Sequence, residues 1–418
     1  MRDREQQTRS CRTRALGAAF AAAAFAAALV GGAARVEAIP AFSREYKTEC
    51  TTCHTIFPQR NEFGEAFEKN GFVWPGAAHK KPVPQTEEER KSAEFVGLSG
   101  IPKTLPISLS LNVSHLYNEK AEDDYDMKRY SAEIFASGAL GGDKVGFWFN
   151  EGLGSQSGGP EGPSQLYFVG RDLVGPVDVR IGKMSPDLSL WKGSDHLAGR
   201  PLSMGASVDG FGMTTAQAAV EVVGEIGPRV EVVLGVNDRN NNLSKTATTP
   251  HSVNDYYGRV GVKVGGTDFR GNEPDVDLDK DSVWDFLYLT FGGFAYSGST
   301  SLGDGVDHDL TRYGVEAGAS YKKLLLMTGA TFGTNNDGEA KEIGSTALSA
   351  EVNYVFGPKL AVALRYDRLE VDGLEDRTII TPAILYAPLQ CFKLSLRVAS
   401  ETYTVDNTTA TIAASFTF

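Results

Sequence analysis

From about residue 106 onward the chain alternates apolar and polar side chains with a period of two, and this limits what it can fold into more than any other feature. Ile107, Leu109, Leu111 and Val113 alternate with Ser108, Ser110, Asn112 and Ser114. Val230, Val232, Leu234 and Val236 repeat the pattern, and Leu360, Val362, Leu364 and Tyr366 stand opposite Ala361, Ala363, Arg365 and Asp367. Phe392, Leu394, Leu396 and Val398 alternate with Lys393, Ser395 and Arg397. Successive strand side chains point to opposite faces, so each segment has one apolar face and one small or charged face. A water-soluble sandwich would pack the apolar face inward. A membrane barrel turns it to lipid and lines a wet lumen with the charged face. Tyr313 and Tyr321, at strand ends, suit interfacial girdles.

Two observations favour the barrel. The last segment runs Ala410, Ile412, Ala414, Phe416, Phe418 and resembles the C-terminal strand of bacterial outer-membrane barrels. The connections mostly alternate long and short over about sixteen strands. Short ones include Ile226-Gly227-Pro228, Lys322-Lys323 and Gly357-Pro358; long ones include 118–128, 184–212, 237–253, 298–310 and 333–344. Residues 265–282 break the rule. A short turn is due there, yet the segment is long and carries Asp275, Asp277, Asp279 and Asp281.

The N-terminus reads as an export signal over residues 1–38. Arg2, Arg4, Arg9, Arg12 and Arg14 precede an Ala/Phe/Leu run, and Val36-Glu37-Ala38 is an acceptable cleavage site. Its removal takes six basic and three acidic residues from totals of 41 and 53, deepening the net charge from −12 to about −15. That balance argues against nucleic acid as a partner and allows cations. Cys11 leaves with the signal, so Cys50, Cys53 and Cys391 imply no disulfide framework. Cys391 reads as a small filler at a strand start.

Cys50-Thr51-Thr52-Cys53-His54 is a C-x-x-C-H box, the attachment signature of a c-type haem. Two thiols two residues apart reach both vinyl groups from one helical turn, and the adjacent histidine offers an axial nitrogen. A local disulfide, a redox pair and half of a zinc site are the alternatives. Zinc would want more ligands nearby, and a redox pair would want a βαβ context. Around the box, residues 39–75 form a small unit, with Asn61 suited to a helix N-cap and Gly71 to a stop. Between them Phe63, Ala66 and Phe67 share one face that could cover a haem, with Phe42 and Phe57 nearby. Arg44 and Lys47 are candidate partners for its propionates. So small a unit needs a haem and a host surface to be stable. Residues 76–104, rich in proline and charge, read as a linker to a barrel over 105–418.

The run Ala38-Ile39-Pro40-Ala41-Phe42-Ser43-Arg44, the box, Phe57-Pro58, Phe63-Gly64, Phe67 and Gly71-Phe72 resemble the head of the fused monohaem cytochrome–porins. These are outer-membrane cytochromes associated with iron oxidation. The resemblance covers about 35 residues, the rest matching by architecture only. It implies an all-β fold, a transmembrane antiparallel barrel of about 16 strands behind a small helical haem segment in the lumen or at its periplasmic mouth. It implies one covalent haem c on Cys50, Cys53 and His54, and electron transfer from extracellular Fe(II) to a periplasmic carrier such as a soluble cytochrome. The same fold reducing an outside acceptor, or a solute porin with an accessory haem segment, are the competing readings. His79, nearest along the chain, is the candidate sixth ligand, with Met184 and Met204 flanking a long loop that could fold inward. Glu119, Glu122, Asp123, Asp124 and Asp126 form one acidic loop cluster; Asp304, Asp307, His308 and Asp309 form another. Either is a solvated face or a weak divalent-metal site.

Deleting Phe418 is expected to lower insertion into the outer membrane without touching the haem box. A normal heat-modifiable barrel in the outer-membrane fraction would count against the terminal-strand reading.

Overall fold

The computed structural model describes residues 42, 46, 48–75, 107–120, 125–140, 144–155, 164–205, 215–238, 253–272, 287–301, 307–336, 342–389 and 391–417. Residues 1–38, the linker 76–104 with His79, the acidic stretch 273–286 and Phe418 lie outside the described residues, as do Arg44, Lys47, Glu122, Asp123, Asp124 and Asp304.

After a small ribbon of β1 (His54–Ile56) and β2 (Gln59–Arg60), sixteen strands, β3 (Ile107–Asn118) to β18 (Asn407–Thr417), close into one antiparallel barrel, each paired with its neighbours in the chain. The ring closes by pairing β18 with β3, Thr417 opposite Ser110 and Thr409 opposite Asn118. Closure satisfies the strand backbones internally, which is what allows a sheet to sit in hydrocarbon. The alternation places the faces. On β9 (Val230–Asp238) Leu234 is 61 % exposed while Glu231 is 1 % exposed. On β15 (Leu360–Val371) Leu364 and Tyr366 face out, and Arg365 and Asp367 are buried inward. A one-residue slip would turn every charge to the outside, so the pattern pins the register.

Apart from the connection between Val264 and Leu287, which is long and lies at the short-turn end, the long connections lie at one end and the short turns at the other, but strand bounds differ from the sequence reading. β11 (Leu287–Ser301) and β12 (Asp307–Tyr321) pair as far as Ser301 opposite Asp307. Asp307, His308 and Asp309 are therefore strand residues, not a loop, because backbone pairing continues beyond the apolar band. The loop after β3 narrows in the same way, since β4 (Tyr125–Leu140) already includes Asp126.

The connection after β7 (Val177–Met184) turns into the lumen. Its residues 185–205 include a short 3₁₀ turn, Gly193–Asp195, and a one-turn helix, Leu202–Gly205. Wall residues anchor it at several points. The Glu316 carboxylate accepts from Leu190 N at 2.7 Å, Glu351 from Leu197 N at 2.8 Å and Asp367 from Leu202 N at 3.0 Å. Leu188, Leu190, Leu197 and Met204 are buried there.

Leu234→Arg, at the middle of β9, is expected to destabilise the folded barrel by about 2–4 kcal/mol. Denaturant titration of the lipid-reconstituted protein measures this. An unchanged midpoint would mean that the face is not lipid-facing.

Candidate functional site

The C-x-x-C-H box folds as a 3₁₀ turn, Cys50–Thr52, that runs into the two-stranded ribbon β1 (His54–Ile56) and β2 (Gln59–Arg60). Helix α1 (Glu62–Lys69) follows, and the Asn61 side chain caps it by accepting from Gly64 N at 2.8 Å. The helix lies directly on the box. A Cβ at Gly64 would overlap the Cys53 carbonyl oxygen, so only glycine permits the contact. Asn61 also donates from Nδ2 to Thr52 O at 3.0 Å, and Asn61 N donates to Cys53 O at 3.0 Å. Cap, helix and box are one piece.

His54 is held in a defined pose. Its Nδ1 stands 3.1 Å from the Pro58 carbonyl, an acceptor, so Nδ1 carries the proton and Nε2 keeps its lone pair. Phe57 meets the ring edge-on at 5.2 Å between centroids. Burial pushes the imidazole pKa down to about 4, which keeps the ring neutral. Burial, with the neighbouring Cys50, pushes the Cys53 thiol up to about 12, so it is protonated at neutral pH. A neutral imidazole oriented by a carbonyl through its second nitrogen is the arrangement of metal-ligating histidines. Two thiols one turn away complete the donor set for a haem c, so these residues fit the group.

The segment sits among the short-turn ends of the barrel. α1 and the residues beside it are tied to the wall by charge. Lys69 Nζ meets Glu231 of β9 at 2.7 Å and Glu65 at 3.0 Å, and Lys263 of β10 (Val253–Val264) meets Glu65 at 2.9 Å. Burial works against ionisation of Glu65, but Lys263 and Lys69 outweigh it and hold the carboxyl well below its usual range. Its stabilising contribution is therefore complete above pH 4.5 and is lost as pH falls further. Arg60 pairs with Asp195 of the in-folded loop and, at 2.7 Å, with Glu68. Gln59, fully buried, donates to the Asp195 carbonyl at 2.8 Å.

The long connection that breaks the alternation is part of this seat. Thr267 N donates to Glu62 at 2.7 Å, and a Cβ at Gly271 would crowd Pro75 and Ala66. Phe269 lies beneath both Lys69 and Lys263, 4.6 and 4.7 Å from its ring centre. The described part of the connection thus packs against α1.

A cavity of about 1530 Å³ opens beside His54. Phe63, Trp74, Trp191, Tyr288 and Met327 line it with the histidine. That exceeds the roughly 300–1,000 Å³ of ordinary ligand pockets. The apolar face of α1 divides. Phe63 reaches this cavity, but Phe67 is buried against Phe72, which stacks on Trp148 of the wall at 5.4 Å. Met184 and Met204 lie on the in-folded loop or at its start, lining a second, smaller cavity, and not the one beside His54. Arg60, Asp195 and Trp191 carried no local motif, so sequence reasoning missed them. Cys391 is buried in the turn before β17 (Phe392–Thr402), its carbonyl accepting from Thr417 N at 2.9 Å. Among the described residues, no three His, Cys, Asp or Glu side chains gather as a metal site.

No family model matches the chain, and no curated protein does. Solved structures match in fold. The anion-selective porin of Comamonas acidovorans aligns with a TM-score of 0.54 at 13 % identity, over 75 % of this chain and 98 % of that one. OmpT, an outer membrane protein of Vibrio cholerae, aligns at 0.52 and 12 %, over 77 % and 100 %. The outer membrane channel DcaP of Acinetobacter baumannii aligns at 0.50 and 13 %, over 75 % and 97 %. The chain has a porin-type barrel. These neighbours share the fold, and identities this low carry nothing further.

Gly64→Ala is expected to cost about 1–3 kcal/mol of local packing and to lower the yield of covalent haem while the barrel stays heat-modifiable. Haem staining normalised to barrel protein checks it. Full staining would show that α1 need not close on the box.

Proposed function

We propose that the protein is an outer-membrane electron-transfer protein, a haem c segment seated in a porin-type barrel, that oxidises extracellular Fe(II) and passes electrons to a periplasmic carrier. The observation that carries this reading is the C-x-x-C-H box, with His54 Nδ1 on the Pro58 carbonyl, placed among the barrel's short-turn ends. Short turns face the periplasm in barrels of this kind, so the box would stand where a soluble cytochrome can approach.

Bound haem would supply the one-electron step. The chain's own residues would do the rest. Cys50 and Cys53 would anchor the group as thioethers, and His54 Nε2 would face the iron with its ring held by Pro58. Phe57, Phe63 and Trp74 would keep water from the site. The in-folded loop and α1 narrow the lumen, which supports an electron path over free solute flow. Fe(III) precipitates at neutral pH, so taking the electron outside the cell keeps the product there.

The porin neighbours favour a second reading, a solute porin with an accessory haem segment. Reduction of an outside acceptor uses the same parts in reverse.

Cys50→Ala with Cys53→Ala is expected to abolish peroxidase staining on a denaturing gel with the barrel still assembled, and full-strength stain would refute the c-type assignment. In stopped flow, Fe(II) should reduce the haem of the loaded wild-type protein. Neutralising Glu122, Asp123, Asp124 and Asp126 should slow this roughly tenfold at low salt, fading above about 0.15 M ionic strength. An unchanged low-salt rate would remove that loop from the mechanism.

A further inference from the structure

A second cavity, of about 660 Å³, lies between the in-folded loop, the N-terminal segment and the wall at β16 (Arg377–Leu389) and β17. We propose that it is an anion site, in which Lys393 and Arg397 receive a small carboxylate or oxyanion.

Charges around the cavity are unevenly paired. Four carboxylates line the cavity, Glu68, Asp187, Glu221 and Glu316. Each is engaged. Glu68 pairs with Arg60 and Lys192, and Asp187 with Arg180 and Arg259. Glu221 accepts from Asp187 N and Tyr257, and Glu316 from Ser189 and Leu190 N. The cations on the opposite wall are not answered in this way. Among the described residues Lys393 has the ring of Phe57, 5.8 Å from its ammonium, and no ion pair, and Arg397 has a buried Nε without a hydrogen-bond partner. Both are on the inward face of β17, four residues apart. Glu351 is the carboxylate whose charge reaches Arg397; its Oε1 accepts from Leu197 N, and its Oε2, which makes no hydrogen bond among the described residues, lies 3.8 Å from Arg365 and 3.4 Å from His196.

His196 adds an independent observation. It is 7 % exposed and lines the same cavity, and among the described residues neither ring nitrogen makes a hydrogen bond, Nδ1 standing 3.4 Å from the Glu351 carboxylate and Nε2 having no such neighbour. A buried polar group without a partner costs stability unless something satisfies it. Two cations with no ion pair among the described residues, and an imidazole whose Nε2 makes no hydrogen bond, around one hollow fit a ligand that brings negative oxygens. Arginine suits a planar carboxylate or a phosphate, through two parallel N–H donors. The hollow is within the roughly 300–1,000 Å³ typical of small-molecule sites.

Two sources carry this chemistry: a free anion from solution, or a propionate of the haem proposed at His54, whose neighbour Phe57 lies under Lys393. Isothermal titration of the full-length protein in detergent, with inorganic phosphate and with citrate, tests the site. Wild-type protein carrying its haem is compared with Cys50→Ala/Cys53→Ala and with Lys393→Gln/Arg397→Gln. Saturable binding to the first two, weakened at least tenfold in the third, would assign the site to free anions and would hold even if no haem is attached. Binding only to the cysteine variant, with a shifted haem midpoint potential in the Lys393/Arg397 variant, would assign it to a propionate. No binding to either protein, and a haem potential unmoved by the cation substitutions, would overturn the proposal. If the double substitution fails to give a heat-modifiable barrel, Lys393→Gln alone is read in the same way.

Discussion

A continuous run of ion pairs inside the barrel holds the functional parts in place. It passes from Arg180 on the wall to Asp187 of the in-folded loop at 2.9 Å, then through Arg259 to Glu231. From Glu231 it crosses to Lys69 and Glu65 on α1 and returns to the wall at Lys263. Every member has opposite charges on both sides or at its end. This matters because an isolated buried charge costs several kcal/mol, while a paired one with further hydrogen bonds can break even. Such a ladder adds little net stability but penalises any other placement of the loop or helix, since each would strand a charge. That is a specificity argument: the lumen accepts this segment in this register.

The ladder also explains why the N-terminal segment can be so short. It buries few apolar residues of its own, chiefly Tyr46, Ile56, Ala66, Phe67 and Phe72. Ile56 completes its packing on Leu197, Val355, Ala361 and Leu385, which belong to the loop and the wall. Phe72 completes its packing on Trp148. The barrel therefore serves as the second half of the segment's core, and the His54–Pro58 contact is rigid because its surroundings are.

The barrel was legible in the sequence because its signal is repeated. Leu234 out and Glu231 in, or Leu364 out and Arg365 in, is a local statement that needs no knowledge of distant residues. The Asn61 cap and the Gly71 stop were legible for the same reason, and they bracket α1. Strand ends were less so, and Asp307 to Asp309 fell in β12 because pairing outlasts the apolar pattern. Phe57 and Phe63 beside the box were legible, but its polar surroundings were not. Arg60 finds Asp195, and Glu62 finds Thr267, across more than a hundred residues of chain, and single charged side chains carry no mark of their partners. The long connection after β10 only breaks the alternation in the sequence, which does not say why; its described part is a seat for the helix.

The central claim is that electrons cross the barrel through a haem held at Cys50, Cys53 and His54. The most direct measurement uses proteoliposomes that contain the haem-loaded protein and enclose oxidised soluble cytochrome c, with Fe(II) added outside. Absorbance of the enclosed cytochrome reports electrons that have crossed. The account predicts reduction with the wild-type protein and only background reduction with Cys50→Ala/Cys53→Ala in the same lipid. Equal reduction by both would mean that Fe(II) or a solute passes through the lumen, and no reduction by fully haem-loaded wild-type protein would contradict the claim outright.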